Sequence, residues 1–180
     1  MSQQFEFQAI LERISTKGGS HLVIVPEEIT AELLQGKKRG RALVTLHETT
    51  WHAGLSPINQ GQHYVQVGRN YFEPYDYELG DLLTIRIARD ESQYGMIPCE
   101  EFIAVRDEDP AGAKLFHALT PGTQRSILHR IANARNPDAR IERAIKIFDH
   151  LHLGERDRGT LIKSIRADAM RGEPGLLEVE

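Results

Sequence analysis

"DPAGAKLFHALTPGTQRSILHRIANARNP", residues 109–137, contains one device three times. Asp109-Pro110, Thr120-Pro121 and Asn136-Pro137 each set a short polar side chain before a proline. A polar oxygen at the N-cap accepts a hydrogen bond from the first turn, and a proline at the first helical position loses nothing by lacking an N–H. Three helix starts are therefore marked, and the chain from Asp109 onward is predicted helical. In the second helix Ile127, Leu128 and Ile131 form a narrow apolar stripe. In the third, Ile141, Ala144, Ile145 and Phe148 recur at i, i+3, i+4, i+7 and are expected to be its buried face. Gly154 suits the end of that helix after "FDHLHLG". "RGTLIKSIRADAMRG" (158–172) adds a fourth, weaker pattern with Leu161, Ile162, Ile165 and Met170 on its apolar side. Residues 172–180 read as a flexible tail.

Upstream of Asp109 the period is two. "FEFQAIL" (5–11) sets Phe5, Phe7, Ala9 and Leu11 on one side of a strand, and "SHLVIVP" (20–26) is a second strand that Pro26 ends. "PEEITAELLQGK" (26–37) is a short helix opened by Pro26, favoured by Glu27 and Glu28 at its positive end and stopped by Gly36. "RALVTLHETTWHAGLS" (41–56) gives two strands joined near Glu48 to Thr50, and "HYVQVGR" (63–69) another. A strand with Leu83, Ile85 and Ile87 on one side follows Gly80-Asp81, "YGMIP" (94–98) is a last short strand, and Pro98 opens a helix of one to two turns. Many short strands with brief helices between them predict a small closed or nearly closed β-barrel capped by short helices. The fold class is thus α+β: a β-barrel domain over 1–108 and a bundle of three or four helices over 109–171.

The chain of 180 residues is 40% hydrophobic and 27% charged, the composition of a globular protein with a real core. Its longest apolar runs, such as "LVIV" (22–25), are far short of the ~20 residues that span a bilayer. No membrane insertion is expected. The start of the chain lacks a basic leader followed by an apolar stretch, and a single cysteine, Cys99, fits a reducing compartment, so a cytoplasmic location is expected. Cys99 reads as a small hydrophobe. The net charge of −4 divides unevenly: residues 121–171 carry 11 Lys+Arg against 6 Asp+Glu, and the remainder carries 11 against 20.

No catalytic residues are assigned. There is no GxSxG elbow, no glycine-rich loop ending in Gly-Lys-Ser/Thr and no dinucleotide fingerprint after a strand, so an enzymatic reading has no motif to rest on. His150 and His152 stand two apart on a helix, and His47 and His52 flank a turn; neither pair has metal-ligand spacing, and neither a metal nor a cofactor is expected.

Two groups of residues are candidate binding sites. Trp51, His63, Tyr64 and Arg69 are candidate pocket-liners at a barrel mouth. Strand alternation separates Tyr64, Gln66 and Gly68 from His63, Val65, Val67 and Arg69, so Tyr64 and Arg69 share a pocket only if a bulge intervenes near Gly68. Arg125, Arg135, Arg140, Arg143 and Lys146 are the candidate basic partner surface. Arg140, Arg143 and Lys146 follow at steps of three and form a stripe that suits phosphates, whereas Arg125, Arg130 and Arg135 wind around their helix. Pairing of these arginines with nearby acids is the simpler reading, and a pI near 6.1 points the same way. A protein partner or self-association is therefore favoured over nucleic acid, and small-molecule binding in the barrel is the third alternative.

The order "HLVIVPEEI" (21–29), "LSPINQGQHYVQVGRN" (55–70), "LGDLLTIRI" (79–87) and "MIPCEEF" (96–102) resembles a bacterial domain of unknown function, a small barrel related to the double-split barrels of antitoxins and transition-state regulators. "LTPGTQRSILHRIANARNPDARIERAIKIFDHLHLG" (119–154) resembles the helical domain described as bacteriocin-protection, YdeI or OmpD-associated. The resemblance covers about residues 3–154. It departs from the family pattern at Arg69 and Phe72, where a lysine and an arginine are usual, and at Arg135 and Ala139, where a lysine and a threonine are usual. Arg140 and Arg143 keep the pattern's arginines. The family name implies a role in envelope stress or peptide resistance, and the resemblance supplies no established chemistry; the expected function is a non-enzymatic binding or interaction module.

Overall fold

The computed structural model describes residues 3–14, 19–58 and 61–165. It is an α+β structure in two units, Met1–Gly95 and Met96–Glu180. The division falls ahead of the 108/109 boundary that the change of period suggested, because the helix preceding Asp109 packs with the helices that follow it.

Alternation builds the first unit. Strand β1 (Gln4–Ile10) buries Phe7 and packs Phe5 and Ala9 on the core, while Gln4, Glu6 and Gln8 face out. It is followed by β2 (Glu12–Arg13), β3 (His21–Val25), β4 (Gly40–Leu46), β5 (Thr49–Pro57), β6 (His63–Gln66) and β7 (Leu82–Arg89). These form one curled antiparallel sheet in the order β1-β7-β4-β5-β6-β3-β2. Strand β5 serves both halves: Thr49–Leu55 pair with β4, and Ser56–Pro57 pair with β6. The ends of the order, β1 and β2, are consecutive in the chain with only Leu11 between them. Leu11 is 1% exposed, donates its N–H to the Asp81 carbonyl and accepts from the Gly80 N–H, each at 2.9 Å. One length of chain therefore supplies both edges of the sheet, which limits the unpaired edge a seven-stranded sheet would otherwise present.

Val23, Val44, Val65, Leu83, Ile85 and Ile87 are fully buried inside the curl, each worth roughly 1.5–3 kcal/mol of transfer free energy. Helix α1 (Glu27–Leu34) adds Ile29, Leu33 and Leu34 to that core. Pro26 occupies its N-cap, one place earlier than predicted. The helix ends where Gln35 and Gly36 turn left-handed, with φ of 48° and 80°. Arg89 then donates to the Leu33 carbonyl from Nε at 3.2 Å and Nη2 at 2.7 Å, satisfying one of the carbonyls a helix end leaves open.

Two expectations for this unit change. "YGMIP" forms no strand; residues 92–96 are bends. Arg41 Nη2 donates to the Gly95 carbonyl at 2.6 Å and the Gly95 N–H donates to Ser92 Oγ at 3.1 Å, so side chains satisfy this backbone in place of a neighbouring strand. The strand at 63–69 ends at Gln66, and a four-residue helix, α2 (Arg69–Phe72), begins after Gly68.

The second unit holds α3 (Glu100–Glu108), α4 (Pro110–His117), α5 (Pro121–Ala132), α6 (Pro137–His152) and α7 (Arg158–Ser164). The three N-cap devices form as read: Asp109 accepts from Gly112 N at 2.8 Å, Thr120 from Thr123 N at 3.3 Å and Asn136 from Ala139 N at 2.8 Å. Asp157 caps α7 in the same way, accepting from Thr160 N at 2.8 Å. Gly154 follows α6 with φ of 90°. Helix α3 runs nine residues, longer than predicted, because Phe102 is wholly buried against Phe116 and Phe148 at ring separations of 5.0 and 6.0 Å. Helix α6 contacts α3, α4, α5 and α7. Its buried face is Ala144, Ile147, Phe148 and Leu151; Ile141 and Ile145 are exposed, contrary to the reading that placed them with Ala144 and Phe148. Leu161 and Ile165 are buried as expected, whereas Met170 and the 172–180 tail lie outside the described residues.

Candidate functional site

The four barrel residues singled out by sequence take four different environments. Trp51, opposite Val44 in the β4–β5 ladder, is 6% exposed, stacks on Tyr71 and donates its indole N–H to the Gln66 carbonyl at 3.3 Å. Tyr64 lies opposite Ile24 and Ser56, on the strand face away from the buried Val65. His63 makes a hydrogen bond from Nε2 to the Lys38 carbonyl at 3.2 Å, and its Nδ1 is buried with no partner among the described residues. Arg69 begins α2 and reaches Glu73 at 3.7 Å, both side chains more than half exposed. Arg69 borders two clefts, of about 390 and 560 Å³, and His21 borders both with it. Trp51, Tyr64 and His63 border neither of the clefts that Arg69 lines.

Two polar clusters were not legible as sites. Asp90, whose side chain is fully enclosed, accepts from His52 Nδ1 at 2.9 Å and, through its other oxygen, from the Ser92 N–H at 3.0 Å and hydroxyl at 2.5 Å. Burial pushes its carboxyl up, but the Ser92 hydroxyl, His52 and the Ser92 amide together hold it below the ordinary aspartate range. Ser92 bonds the aspartate and not the imidazole, so Ser, His and Asp here lack the order of a nucleophile–base relay. The cluster ties the 90–95 bend to β5. The second is a stack of rings, His47 lying 4.3 Å from Tyr75 and 5.7 Å from Tyr77, with His47 Nε2 and the Tyr77 hydroxyl 3.1 Å apart. The rings fill one another's faces and leave no cage between them. Among the described residues, no group of three or more His, Cys, Asp or Glu is placed to hold a metal ion. Burial raises the Cys99 thiol above its ordinary range, which disfavours a reactive thiolate.

The basic residues of the helices divide by role. Arg140 pairs with Glu101 of α3, Nε to Oε1 at 2.9 Å, with both side chains largely covered. The Glu101 carboxyl is held low by its own backbone amide and by this guanidinium, against a smaller opposing effect of burial. Arg143 donates to the Arg130 carbonyl at 2.8 Å and so caps the last turn of α5, where a cation opposes the negative end of the helix. Arg135 is exposed and Arg125 half-buried. Lys146 lies on the outer face of α6 with Asp138, Ile141, Glu142, Ile145 and Asp149. That face presents two isoleucines one turn apart, 38% and 46% exposed, within a frame of three carboxylates and one ammonium. Among the described residues, no helix is long and apolar enough to cross a membrane.

Comparison with known families follows the same division of the chain. Residues 7–87 match the family described as Domain of unknown function (DUF1905), and residues 98–154 match the one described as Bacteriocin-protection, YdeI or OmpD-Associated. No curated protein matches the chain.

Proposed function

For a chain that joins a DUF1905 domain to a YdeI/OmpD-associated domain, we propose the function of a non-enzymatic binding module that holds an amphipathic, cationic protein segment on the outer face of α6. The observation that carries this reading is the exposure of Ile141 and Ile145 in a regular α-helix that buries Ala144, Ile147, Phe148 and Leu151. Two β-branched side chains one turn apart are the anchors an amphipathic partner helix meets, and burying each contributes roughly 1.5–3 kcal/mol. Asp138, Glu142 and Asp149 around them outnumber Lys146, so the complementary segment is basic. The family description over residues 98–154 speaks of bacteriocin protection, and a peptide partner is consistent with that wording. The proposal extends to a role in peptide resistance or envelope stress, which that wording suggests.

Engagement of Arg140 with Glu101 and of Arg143 with the end of α5 supports a protein partner over nucleic acid, since both arginines already serve the helical unit. The test is fluorescence anisotropy with a labelled amphipathic Leu/Lys helix, a scrambled peptide and a labelled DNA duplex. Saturable binding of the amphipathic peptide is expected, weakened at least tenfold by the double variant Ile141→Lys, Ile145→Lys and weakened by added salt. Equal binding by wild type and variant sinks the proposal. Salt-sensitive binding of the duplex that the variant leaves intact returns the nucleic-acid reading.

A further inference from the structure

At one end of the sheet β2 pairs with β3, and both residues of β2, Glu12 and Arg13, are exposed. Arg13 stands directly opposite His21, which is half-buried and precedes the buried Leu22 and Val23. A guanidinium and an imidazole therefore stand side by side at the rim of the sheet.

Both border the smaller cleft, of about 390 Å³, whose lining also includes Ser20, Gln66 and Arg69 and, among the described residues, no carboxylate. Arg13 donates from Nε to the Gly19 carbonyl at 3.1 Å, which fixes the direction of its guanidinium at the cleft wall. Arg69 pairs only at 3.7 Å with the exposed Glu73, a contact of the kind worth little in water. Two guanidinium groups, an imidazole and a hydroxyl around one small cleft are the donor types that suit an oxyanion with several acceptor oxygens.

The adjoining cleft of about 560 Å³ continues across His21 and Arg69 over Phe72, Tyr77 and Leu79. Phe72 meets the His21 ring edge-on at 4.9 Å, and both rings border this second cleft. Glu73, Asp76 and Glu78 border that second space. Carboxylates there accept hydrogen bonds from hydroxyls and repel a second phosphate. The two clefts together thus favour one anionic group at the rim with a hydroxylated body beside it, and disfavour a polyanion. We propose that the rim between Arg13, His21 and Arg69 is a binding site for a small phosphomonoester of a polyhydroxylated compound. This site lies within the barrel unit and does not depend on the reading of α6.

Amide NMR titrations with inorganic phosphate, glucose 6-phosphate, glucose and sodium chloride of matched ionic strength test it. Phosphate and glucose 6-phosphate are expected to shift Ser20, His21, Gly68 and Arg69, with glucose 6-phosphate also shifting Tyr77 and Leu79 and binding at least tenfold tighter. Arg13→Gln and Arg69→Gln, each checked for an unchanged melting temperature, are expected to weaken both ligands at least tenfold, and Arg69→Lys to recover part of the loss. Absence of shifts at millimolar phosphate and glucose 6-phosphate overturns the proposal, as does an equal response to chloride or persistence of the shifts in the Arg13→Gln, Arg69→Gln double variant. Should one arginine variant unfold, the other carries the same test.

Discussion

Trp51 and Tyr71 lie face to face, ring centroids 4.2 Å apart and planes 9° from parallel, so the stack joins the middle of β5 to the short helix α2. Trp51 is the only tryptophan in the chain, and its emission therefore reports on the surroundings of this one side chain, the stack among them. Tyr71→Leu removes the stack but keeps an apolar side chain; a loss of roughly 0.5–1.5 kcal/mol and a changed tryptophan emission are expected. Trp51→Ala also empties a buried site, and its cost should reach about 3–5 kcal/mol. Urea unfolding followed by circular dichroism measures both. Emission unchanged in Tyr71→Leu would show that the rings do not stack in solution.

Gly112 and Gly122 make opposite predictions for the same substitution. A helical glycine replaced by alanine ordinarily gains up to about 1 kcal/mol. At Gly122 a methyl group meets open space, so Gly122→Ala should stabilise. At Gly112 it would strike the Asp109 carboxylate that caps α4 and the ring of Phe148 on α6. Overpacking of that kind costs roughly 1–3 kcal/mol, which exceeds the helix-propensity gain. Gly112→Ala should therefore lower the melting temperature while Gly122→Ala raises it; the reverse order would contradict the packing of α4 on α6.

Acid should destabilise the fold through three aspartates. Asp109 is held low first by the Gly112 amide and then by His152, which lies 2.6 Å away, and Asp157 first by the Thr160 amide and then by its hydroxyl. Asp90 is low despite its burial, for the reasons of its Ser92 and His52 bonds. Each folded-state pKa lies below the unfolded value of about 3.9, so the unfolded chain binds more protons in acid. The stability these groups supply is complete above that range and is lost as pH falls through the folded-state values. Urea midpoints measured from neutral pH to below pH 4 should fall in wild type. Asp109→Asn, which retains a side-chain oxygen for the cap, should lessen the slope. An unaltered acid slope in that variant would remove Asp109 from the account.

Signals confined to neighbouring residues were legible in the sequence. The three caps before proline, Gly154 and the alternation of β1 and β7 each depend on a few adjacent side chains, and each forms as read. Signals that depend on what packs from elsewhere were not. Ile141 and Ile145 fit the helical period of α6 as well as Ile147 and Leu151 do, and only the positions of α3, α4, α5 and α7 decide which set is buried. The pocket argument for Tyr64 and Arg69 assumed an unbroken strand, whereas the backbone leaves the strand after Gln66 and enters α2 at Arg69. Arg13 and His21 come opposite one another only when β2 pairs with β3, and no local pattern in the sequence announces that short pairing.

Leu11 joins the two ends of the sheet, and this gives the barrel a definite order of assembly during synthesis. Strand β1 pairs only with β7, from Gln4 opposite Ala88 to Ile10 opposite Leu82. At ordinary translation rates its partner is made roughly 4–15 s after it. During that interval Phe5 and Phe7 have no sheet to cover them, and the nascent chain offers chaperones its first apolar strand. Pairing of β1 with β7 can form only after Leu82–Arg89 has been made, so a ribosome paused before Leu82 would hold a sheet open on the β1 side.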